Sequence, residues 1–470
     1  MSNYIKLGGI VVVLLFIYIC LLCLLPTYDD WGYLASPFVE GGLLKYLPGI
    51  YWRPFDALFG DFLSYNNNYC LFPYVNHTVI YLAHVLSTCL IIRISKLVGI
   101  NSSNIYICAL FFFFSPACLG TLLGIDSINQ AYATFFGILA CMVILSNNKY
   151  RYVLSLFFAL LSIFSKDNGL SWLFIPAILS FGFGYVDKKQ LICYLSGGIG
   201  VAILYFICRY SLTVEPVVLK EDSAYTFSLF NRIKDAASFI IGTFFAVDPI
   251  FLIGNKTNIL LFSLTSVASI PFIYIVFFYK QSIIFTKKFK CLLICLIIAV
   301  GPHLATHFGP MHAYSGLPIA SLIIGVSLSC KAHYFKPIFI SFMLYFLSML
   351  FVDIHHYIET YKSSQYGIIM ARNAESVLGT DKPTKLFVIS EYDYKRYSSF
   401  CVPPREVFMY GQSLKWYNHY EWPKICKGIT IKRPNRKQLD SIIVSNSNFD
   451  CFLYTNGVNI YKIDEIIKSR

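Results

Sequence analysis

Two adjacent acids, Asp29 and Asp30, follow directly after an apolar run from Leu7 to Leu25. A run of roughly 19 apolar residues is long enough to cross a hydrocarbon core of ~30 Å as a helix. Both carboxylates are therefore expected where membrane meets water, a depth at which charged side chains are costly and mark functional sites. A carboxylate there can accept a proton from a reacting hydroxyl group.

Other charged and titratable side chains collect at the predicted ends of later apolar runs, on the same side as these acids. An unpaired charge there is unfavourable, so each group needs a partner. The partner can be a neighbouring ion, as for Arg53 with Asp56, or a polar substrate in a shared cavity. The sequence leaves both alternatives open for Arg53, Asp56, Asp61, His77, His84, Asp126, Lys166, Asp167, Arg209, His303, His307 and His312.

The composition is that of a polytopic membrane protein. Hydrophobic residues make up 57% of the 470 residues and charged residues only 13%, which excludes an ordinary soluble enzyme. The first run is too long for a signal peptide and lacks a small-residue cleavage site, so we expect it to remain as an anchor. The net charge of +13 predicts basic cytoplasmic loops and contact with membrane lipids, with no nucleic acid partner.

Hydropathy predicts about eleven transmembrane helices and hence an all-α membrane domain over residues 1–355. The candidate spans are Leu7 to Leu25, Tyr74 to Leu97, Ile105 to Leu123, Ala131 to Leu145, Tyr152 to Phe164, Leu170 to Val186, Leu191 to Arg209, Ile259 to Tyr279, Cys291 to Leu304, Ala313 to Cys330 and Phe335 to Val352. A further apolar segment, Ala236 to Gly254, contains Asp248-Pro249 and is interpreted as interfacial or re-entrant.

Basic residues set the predicted orientation. Those between alternate spans fall on one side, which the positive-inside rule makes cytoplasmic. They are Lys6, Arg93, Lys96, Lys149, Arg151, Lys188, Lys189, Lys280, Lys287, Lys288, Lys290, Lys331 and Lys336. The large first loop, residues 26–73, and the C-terminus are then extracytoplasmic.

Residues 356–470 change to mixed polar sequence and predict a small extracytoplasmic α/β domain. Strand-like runs occur at Lys385 to Ile389 and at Cys451 to Tyr454. This part has 17 Lys and Arg against 11 Asp and Glu, which suits contact with an anionic leaflet. In an oxidising compartment, one disulfide among Cys401, Cys426 and Cys451 is expected, with the third cysteine facing Cys70.

Several motifs occur in an order that resembles a known enzyme group. They are Tyr28-Asp29-Asp30-Trp31-Gly32-Tyr33, Tyr51-Trp52-Arg53-Pro54, Asp61-Phe62-Leu63, the stretch from Phe72 to His84, and Ser165-Lys166-Asp167-Asn168-Gly169. The ordered set resembles GT-C glycosyltransferases, specifically the bacterial relatives of protein O-mannosyltransferases, including the tetratricopeptide-linked kind. The last motif resembles that subgroup's Ser-Lys-Glu-x-Gly, with Asp167 in place of Glu.

The resemblance implies an enzyme of the bacterial cell membrane that transfers a sugar, with inversion, from a polyprenyl-phosphate donor to a glycan, lipid or protein acceptor outside. Asp29 is the expected general base, with Asp30 as the second catalytic candidate. The departing phosphate needs cations, for which Arg53, Lys166, Arg209 and His312 are the candidates. Asp126, Asp167, His77, His84, His303 and His307 are expected to line the cavity or contact the acceptor.

Plainer roles stay open for some of these residues. Asp30 can cap a helix that begins near Trp31. His77 and His84, seven residues apart on one helical face, can be interhelical hydrogen bonders. No Glu completes a zinc motif with the later histidines, so no cofactor is predicted. A divalent metal shared by Asp30 or Asp126 stays open, although two separated acids do not establish a metal site.

One departure concerns the carrier phosphate. Where relatives are expected to have Arg-Tyr-x-Tyr-x-x-Pro, this chain has Met311-His312-Ala313-Tyr314-Ser315-Gly316-Leu317-Pro318. His312 can replace the missing arginine when protonated. Two other functions remain open, namely a transporter or flippase of lipid-linked glycans and a glycan polymerase or ligase. The acidic loop directly after the first span favours the transferase, since transporters place charges near mid-membrane on broken helices.

Overall fold

A computed structural model describes most of the chain. The described residues are 2–26, 30–31, 46–47, 52–69, 76–211, 229–247, 259–279, 286–305, 310–331, 335–390, 414, 423–431, 433–456 and 459–469.

The described residues up to Leu378 form a helical bundle. Its helices are α1 (Ser2–Leu22), α2 (Pro54–Tyr69), α3 (Asn76–Leu97), α4 (Ser102–Phe114), α5 (Leu119–Leu122), α6 (Ile128–Ile144), α7 (Arg151–Ser165), α8 (Ile175–Gly182), α9 (Lys188–Ser211), α10 (Leu229–Phe244), α11 (Ile259–Phe277), α12 (Lys287–Ala305), α13 (Ala313–Ser329) and α14 (Phe335–Leu378). Short 3₁₀ turns at Pro116–Cys118, Ile125–Ser127, Asp167–Leu173 and Pro310–His312 join some of them.

Each predicted apolar span overlaps a helix of this bundle, which confirms the predicted fold class. By length and composition, five helices can cross a membrane, or six if the bent pair Ser102–Phe114 and Pro116–Leu122 counts as one span. The chain is thus an integral membrane protein, while the number eleven stays a prediction. In the segment interpreted as re-entrant, α10 ends at Phe244, and Asp248-Pro249 lies outside the described residues.

Hydroxyl groups hold the centre of the bundle together. Ser155 Oγ donates to Ala140 O at 3.0 Å, and Ser162 Oγ donates to Ala133 O at 2.6 Å, so α6 and α7 approach closely. Such small hydroxyl side chains are common between membrane helices, where a hydroxyl group facing lipid would lack a partner.

The two ends of the bundle differ in charge. At one end, Tyr185 Oη donates to Leu97 O at 2.6 Å, and Asn101 Nδ2 donates to Ser329 O at 3.2 Å. Arg151 and Lys288 lie beside the same connections. Several loops that the sequence assigned to one side therefore meet at this "basic end". The candidate functional residues lie at the other end.

A four-stranded sheet follows the bundle, with strands β1 (Lys385–Ser390), β2 (Ile425–Thr430), β3 (Cys451–Thr455) and β4 (Ile460–Lys462). The strand order is β2-β1-β3-β4; β1 pairs in parallel with β2 and β3, and β4 is antiparallel to β3. The two predicted strands are confirmed as β1 and β3. Helices α15 (Arg436–Ser445) and α16 (Ile463–Ser469) complete this part.

Helix α14 continues from the bundle into the sheet. Its last turns contribute Met370, Ala374 and Leu378 to an apolar cluster on one face of the sheet, whereas Leu439 of α15 covers the other face. The boundary predicted between residues 355 and 356 therefore falls inside one continuous helix. The division into two domains stays a prediction.

Two of the cysteines expected in a disulfide lie in strands of the sheet. Cys426 and Cys451 both pair in register with Leu386, on opposite sides of it. Two strand spacings separate them by about 10 Å, which exceeds the reach of a disulfide. A disulfide between these two is therefore ruled out, while Cys70 and Cys401 lie outside the described residues.

Candidate functional site

Asp30, which follows α1, contacts a turn between later helices of the bundle. Its side chain is 1% exposed, and its Oδ1 accepts a hydrogen bond from the backbone N–H of Asp126 at 2.9 Å. The carboxylate thus satisfies the amide of the Ile125–Ser127 turn, while the amides that it could cap in its own helix lie outside the described residues. This contact joins two of the predicted site residues.

Asp167 lies between two arginines. Arg53 Nη2 is 2.6 Å from Asp167 Oδ2, and Arg209 Nη1 is 2.8 Å from Asp167 Oδ1. The three side chains come from the start of α2, the turn after α7 and the end of α9. Burial alone would raise the pKa of Asp167, but the two arginines hold it below its usual value. All three are predicted site residues, and both arginines form ion pairs with Asp167.

Tyr205 supports this triplet from one turn before Arg209. Its hydroxyl lies 3.2 Å from both Asp167 Oδ1 and Trp52 O. Its ring stacks on Trp52, with centroids 5.6 Å apart and planes 9° apart. The stacked rings fix Arg209 and Asp167 relative to the loop that carries Arg53.

Lys166 differs from the two arginines. Its ammonium group donates to Met311 Sδ at 3.6 Å, and no described carboxylate lies within 4 Å of it. Burial lowers the pKa of Lys166 to about 8, and Arg53 acts in the same direction, while Asp126, Asp56 and Asp167 oppose the shift. A thioether is a weak hydrogen-bond acceptor, so among the described residues the direct partner of this cation is an uncharged one.

Asp126 and Ser127 lie beside the same methionine. Ser127 Oγ is 3.1 Å from Asp126 Oδ1 and 3.8 Å from Met311 Sδ. Thr121 Oγ1 donates to Met311 O at 3.4 Å, which fixes the Pro310–His312 turn against this region. Lys166 and the hydroxyl group bound to Asp126 thereby both approach the sulfur of Met311.

The glycine of the Ser-Lys-Asp-Asn-Gly motif has a packing role. A Cβ atom on Gly169 would lie 2.3 Å from Ser162 C and 2.4 Å from Ser162 O. Only a residue without a side chain lets the Asp167–Leu173 turn lie this close to α7. Gly169 therefore helps to place Lys166 and Asp167.

The two histidines of α3 are buried. His84 is fully buried; its Nε2 donates to Phe113 O at 3.1 Å, and its Nδ1 accepts from Tyr314 Oη at 3.0 Å. His77 is 1% exposed, and its Nδ1 donates to Leu122 O at 3.3 Å. These contacts favour interhelical hydrogen bonding over a role in lining a cavity.

His303 and His312 stack on each other, with ring centroids 4.0 Å apart and planes inclined by 15°. His312 belongs to the same turn as Met311 and therefore lies near Lys166. Asp29 and His307 lie outside the described residues. Within the described part of the chain, no group of three or more His, Cys, Asp or Glu side chains is arranged to hold a metal ion.

Some residues of this site were not predicted. Met311 was noted only as part of a motif that lacks its arginine, and a methionine carries no charge to draw attention. Tyr205 lies four residues before Arg209, a helical spacing that could have indicated a supporting role. Asn129, whose Nδ2 donates to Asp56 Oδ1 at 3.1 Å, was also missed.

The comparisons with known proteins give only distant matches. No protein-family model matches the sequence, and no curated protein matches it. ArnT from Cupriavidus metallidurans, bound to undecaprenyl phosphate, is similar in structure over 100% of this chain and 91% of its own, with 10% identity and a TM-score of 0.49. The oligosaccharyltransferase AglB from Archaeoglobus fulgidus, in complex with an inhibitory peptide and a dolichol-phosphate, covers 92% of this chain and 66% of its own, with 13% identity and a TM-score of 0.43. Likeness at this level identifies neither a reaction nor a substrate.

Proposed function

We propose that this membrane protein is an inverting GT-C-type glycosyltransferase that uses a polyprenyl-phosphate sugar as donor. The acceptor is a glycan, lipid or protein, and the reaction takes place on the extracytoplasmic side. The observation that carries the proposal is that Lys166, with no described carboxylate within 4 Å, and Ser127, which is hydrogen-bonded to Asp126, both contact Met311 Sδ.

Lys166 is assigned to the donor phosphate. When C1 of the sugar is attacked, the departing polyprenyl phosphate gains negative charge, and a fixed cation stabilises it. Arg53 and Arg209 are already paired with Asp167. They therefore contribute positive potential around the phosphate rather than a direct contact with it. His312, in the turn that also holds Met311, is the second cation candidate when protonated.

The acids are assigned to the acceptor. A sugar or protein hydroxyl is a poor nucleophile, so a carboxylate must take its proton during the attack. Asp29 keeps this role in the proposal, and Asp126 is the described alternative. Asp30, bound to the Asp126 amide, is assigned as the residue that positions this acidic region against Lys166.

The test uses the purified full-length chain in liposomes with a radiolabelled polyprenyl-phosphate sugar and a membrane extract as the acceptor source. The proposal predicts transfer of label and stoichiometric release of polyprenyl phosphate. Lys166→Ala should reduce kcat/KM for the donor by about 10²-fold, and Lys166→Arg should retain most of it. Lys149→Ala, at the basic end, is the matched control and should behave as wild type.

The result also separates the alternatives that the sequence leaves open. Movement of the intact labelled donor across the bilayer without release of polyprenyl phosphate would replace the transferase by a transporter. Equal donor kinetics for Lys166→Ala and Lys149→Ala would remove Lys166 from the donor site.

A further inference from the structure

A groove lies at the basic end of the bundle, far from the candidate site. It is formed by the connection between α3 and α4 at residues 97–99, the connection between α8 and α9 at residues 183–185, and Lys288 in the first turn of α12. Its volume is about 340 Å³. This value lies at the lower end of the range for small-ligand pockets, roughly 300–1,000 Å³.

Two glycines shape the groove. Gly99 and Gly184 both have φ of +80°, a left-handed conformation that favours glycine. A Cβ atom on either would have no neighbour within 4 Å, so both turns border open space. The two connections thus leave a recess between the helix ends, because neither glycine has a side chain to occupy it.

Lys288 lines the recess, and Lys287 precedes it in the first turn of α12. Lys288 Nζ lies 5.4 Å from the ring centroid of Phe183, and Lys287 Nζ lies 3.4 Å from that of Phe181. Neither lysine forms an ion pair with any residue that the structure describes. Arg151 adds a third cation, since its Nη2 donates to Tyr185 O at 3.4 Å.

The helix end adds to the positive potential. The first turn of α12 contains lysines and no acid, although the N-terminal end of a helix already carries partial positive charge. The nearby acid Asp187 caps α9, with its Oδ1 accepting from Gln190 N at 2.8 Å. An anion bound in the recess would reduce the electrostatic repulsion among these positive charges.

We propose that this groove binds the phosphate headgroup of an anionic phospholipid from the surrounding bilayer. Basic pockets between membrane helices, beside aromatic rings at the interface, are the usual environment of such headgroups. A lipid is favoured over a free anion because α9 begins next to the groove and exposes Ile192 and Ile199, at 54% and 51%, along which acyl chains can lie. The assignment is independent of the reaction at the other end.

The experiment measures lipid retention by the full-length chain. Protein from nanodiscs containing phosphatidylglycerol is transferred into a neutral detergent, and bound phospholipids are counted by native mass spectrometry. Affinity for phosphatidylglycerol should fall about fivefold for each lysine removed in Lys287→Ala and Lys288→Ala, and further in the double variant. Lys189→Ala, an exposed lysine at the same end but outside the groove lining, is the matched control and should retain lipid as wild type does.

Two results would overturn the proposal. One is equal retention of phosphatidylglycerol by the double variant and by Lys189→Ala. The other is an equal thermal stabilisation of wild type by inorganic phosphate in purely zwitterionic nanodiscs, since the groove would then be a site for a free anion. Stabilisation by phosphatidylglycerol alone, lost in the double variant, supports it.

Discussion

Lys166 Nζ lies 3.6 Å from Met311 Sδ, and this thioether is the hydrogen-bond partner that the structure gives the ammonium group. The two residues are 145 positions apart and belong to turns that follow different helices. Neighbouring Arg53 and Arg209 are both paired with Asp167, so Lys166 is the cation best able to meet an incoming phosphate. The predictions below follow from this difference.

The donor reaction should lose efficiency as the pH rises through about 8. The pKa of Lys166 is lowered to about 8, so the free protein holds the charge below that pH and loses it above. A plot of kcat/KM for the donor against pH should show a descending limb above about pH 8 in wild type. In Lys166→Arg the limb should be absent, because an arginine stays protonated. A limb that persists in Lys166→Arg would assign the titration to another group.

Replacing Met311 by Leu should raise the donor KM a few-fold and leave kcat nearly unchanged. Leucine has a similar volume but no acceptor for the ammonium group, so Lys166 would lose its orientation before the donor binds. Steady-state kinetics check this split. Met142→Leu, in α6 away from the site, is the control. A fall in kcat with constant KM would instead place Met311 in the chemical step.

Changing Asp167 to Asn should destabilise the bundle. Two partly buried arginines would lose their shared counter-ion, at a cost of about 2 kcal/mol. Because the pKa of Asp167 is depressed in the folded chain, its contribution is present above the pKa of the unfolded state and is lost as the pH falls. Thermal unfolding in detergent should therefore show a gap between wild type and Asp167→Asn at pH 7 that narrows in acid. An equal gap at all pH values would contradict the ion-pair explanation.

Substitutions of Asp29, Asp30 and Asp126 should distinguish the general base from the residue that positions it. Asp29→Asn is expected to lower transfer by ~10²- to 10⁴-fold without affecting insertion, because the amide cannot take a proton. Asp30→Asn should be mild, since an amide oxygen can still accept from the Asp126 N–H, whereas Asp30→Ala loses this bond and about 1 kcal/mol of stability. Asp126→Asn is the comparison. If it, and not Asp29→Asn, abolishes transfer, Asp126 is the base.

Gly169→Ala should reduce both stability and donor use. The added methyl group would lie within 2.4 Å of the α7 backbone, so the turn that carries Asp167 must move away from α7. The expected signs are a lower melting temperature and a raised donor KM. Gly200→Ala in α9, where a Cβ meets nothing within 4 Å, is the matched control and should leave both unchanged.

The sequence by itself determined the helices and two of the strands. Long apolar runs predict helices in a membrane protein, because every backbone polar group within the bilayer must be paired inside its own segment. The predicted runs therefore overlap helices throughout the bundle, and β1 and β3 follow from short apolar runs of strand-forming residues. The charge pattern placed several basic loops on one side, and two pairs of the connections concerned meet at one end of the bundle, while the orientation in the membrane stays a prediction. These features depend on residues close in the chain.

Only the tertiary structure decided which side chains meet. Arg53 lies 114 residues from Asp167, and the carboxylate next to it in sequence, Asp56, gave no sign of that pairing. The contact of Lys166 with Met311 and the bond from the Asp126 amide to Asp30 likewise join distant turns. Helix α14 continues past residue 355 because its last turns bury apolar side chains against the sheet. Such contacts depend on how the helices pack against one another, and the hydropathy pattern along the chain does not predict this packing.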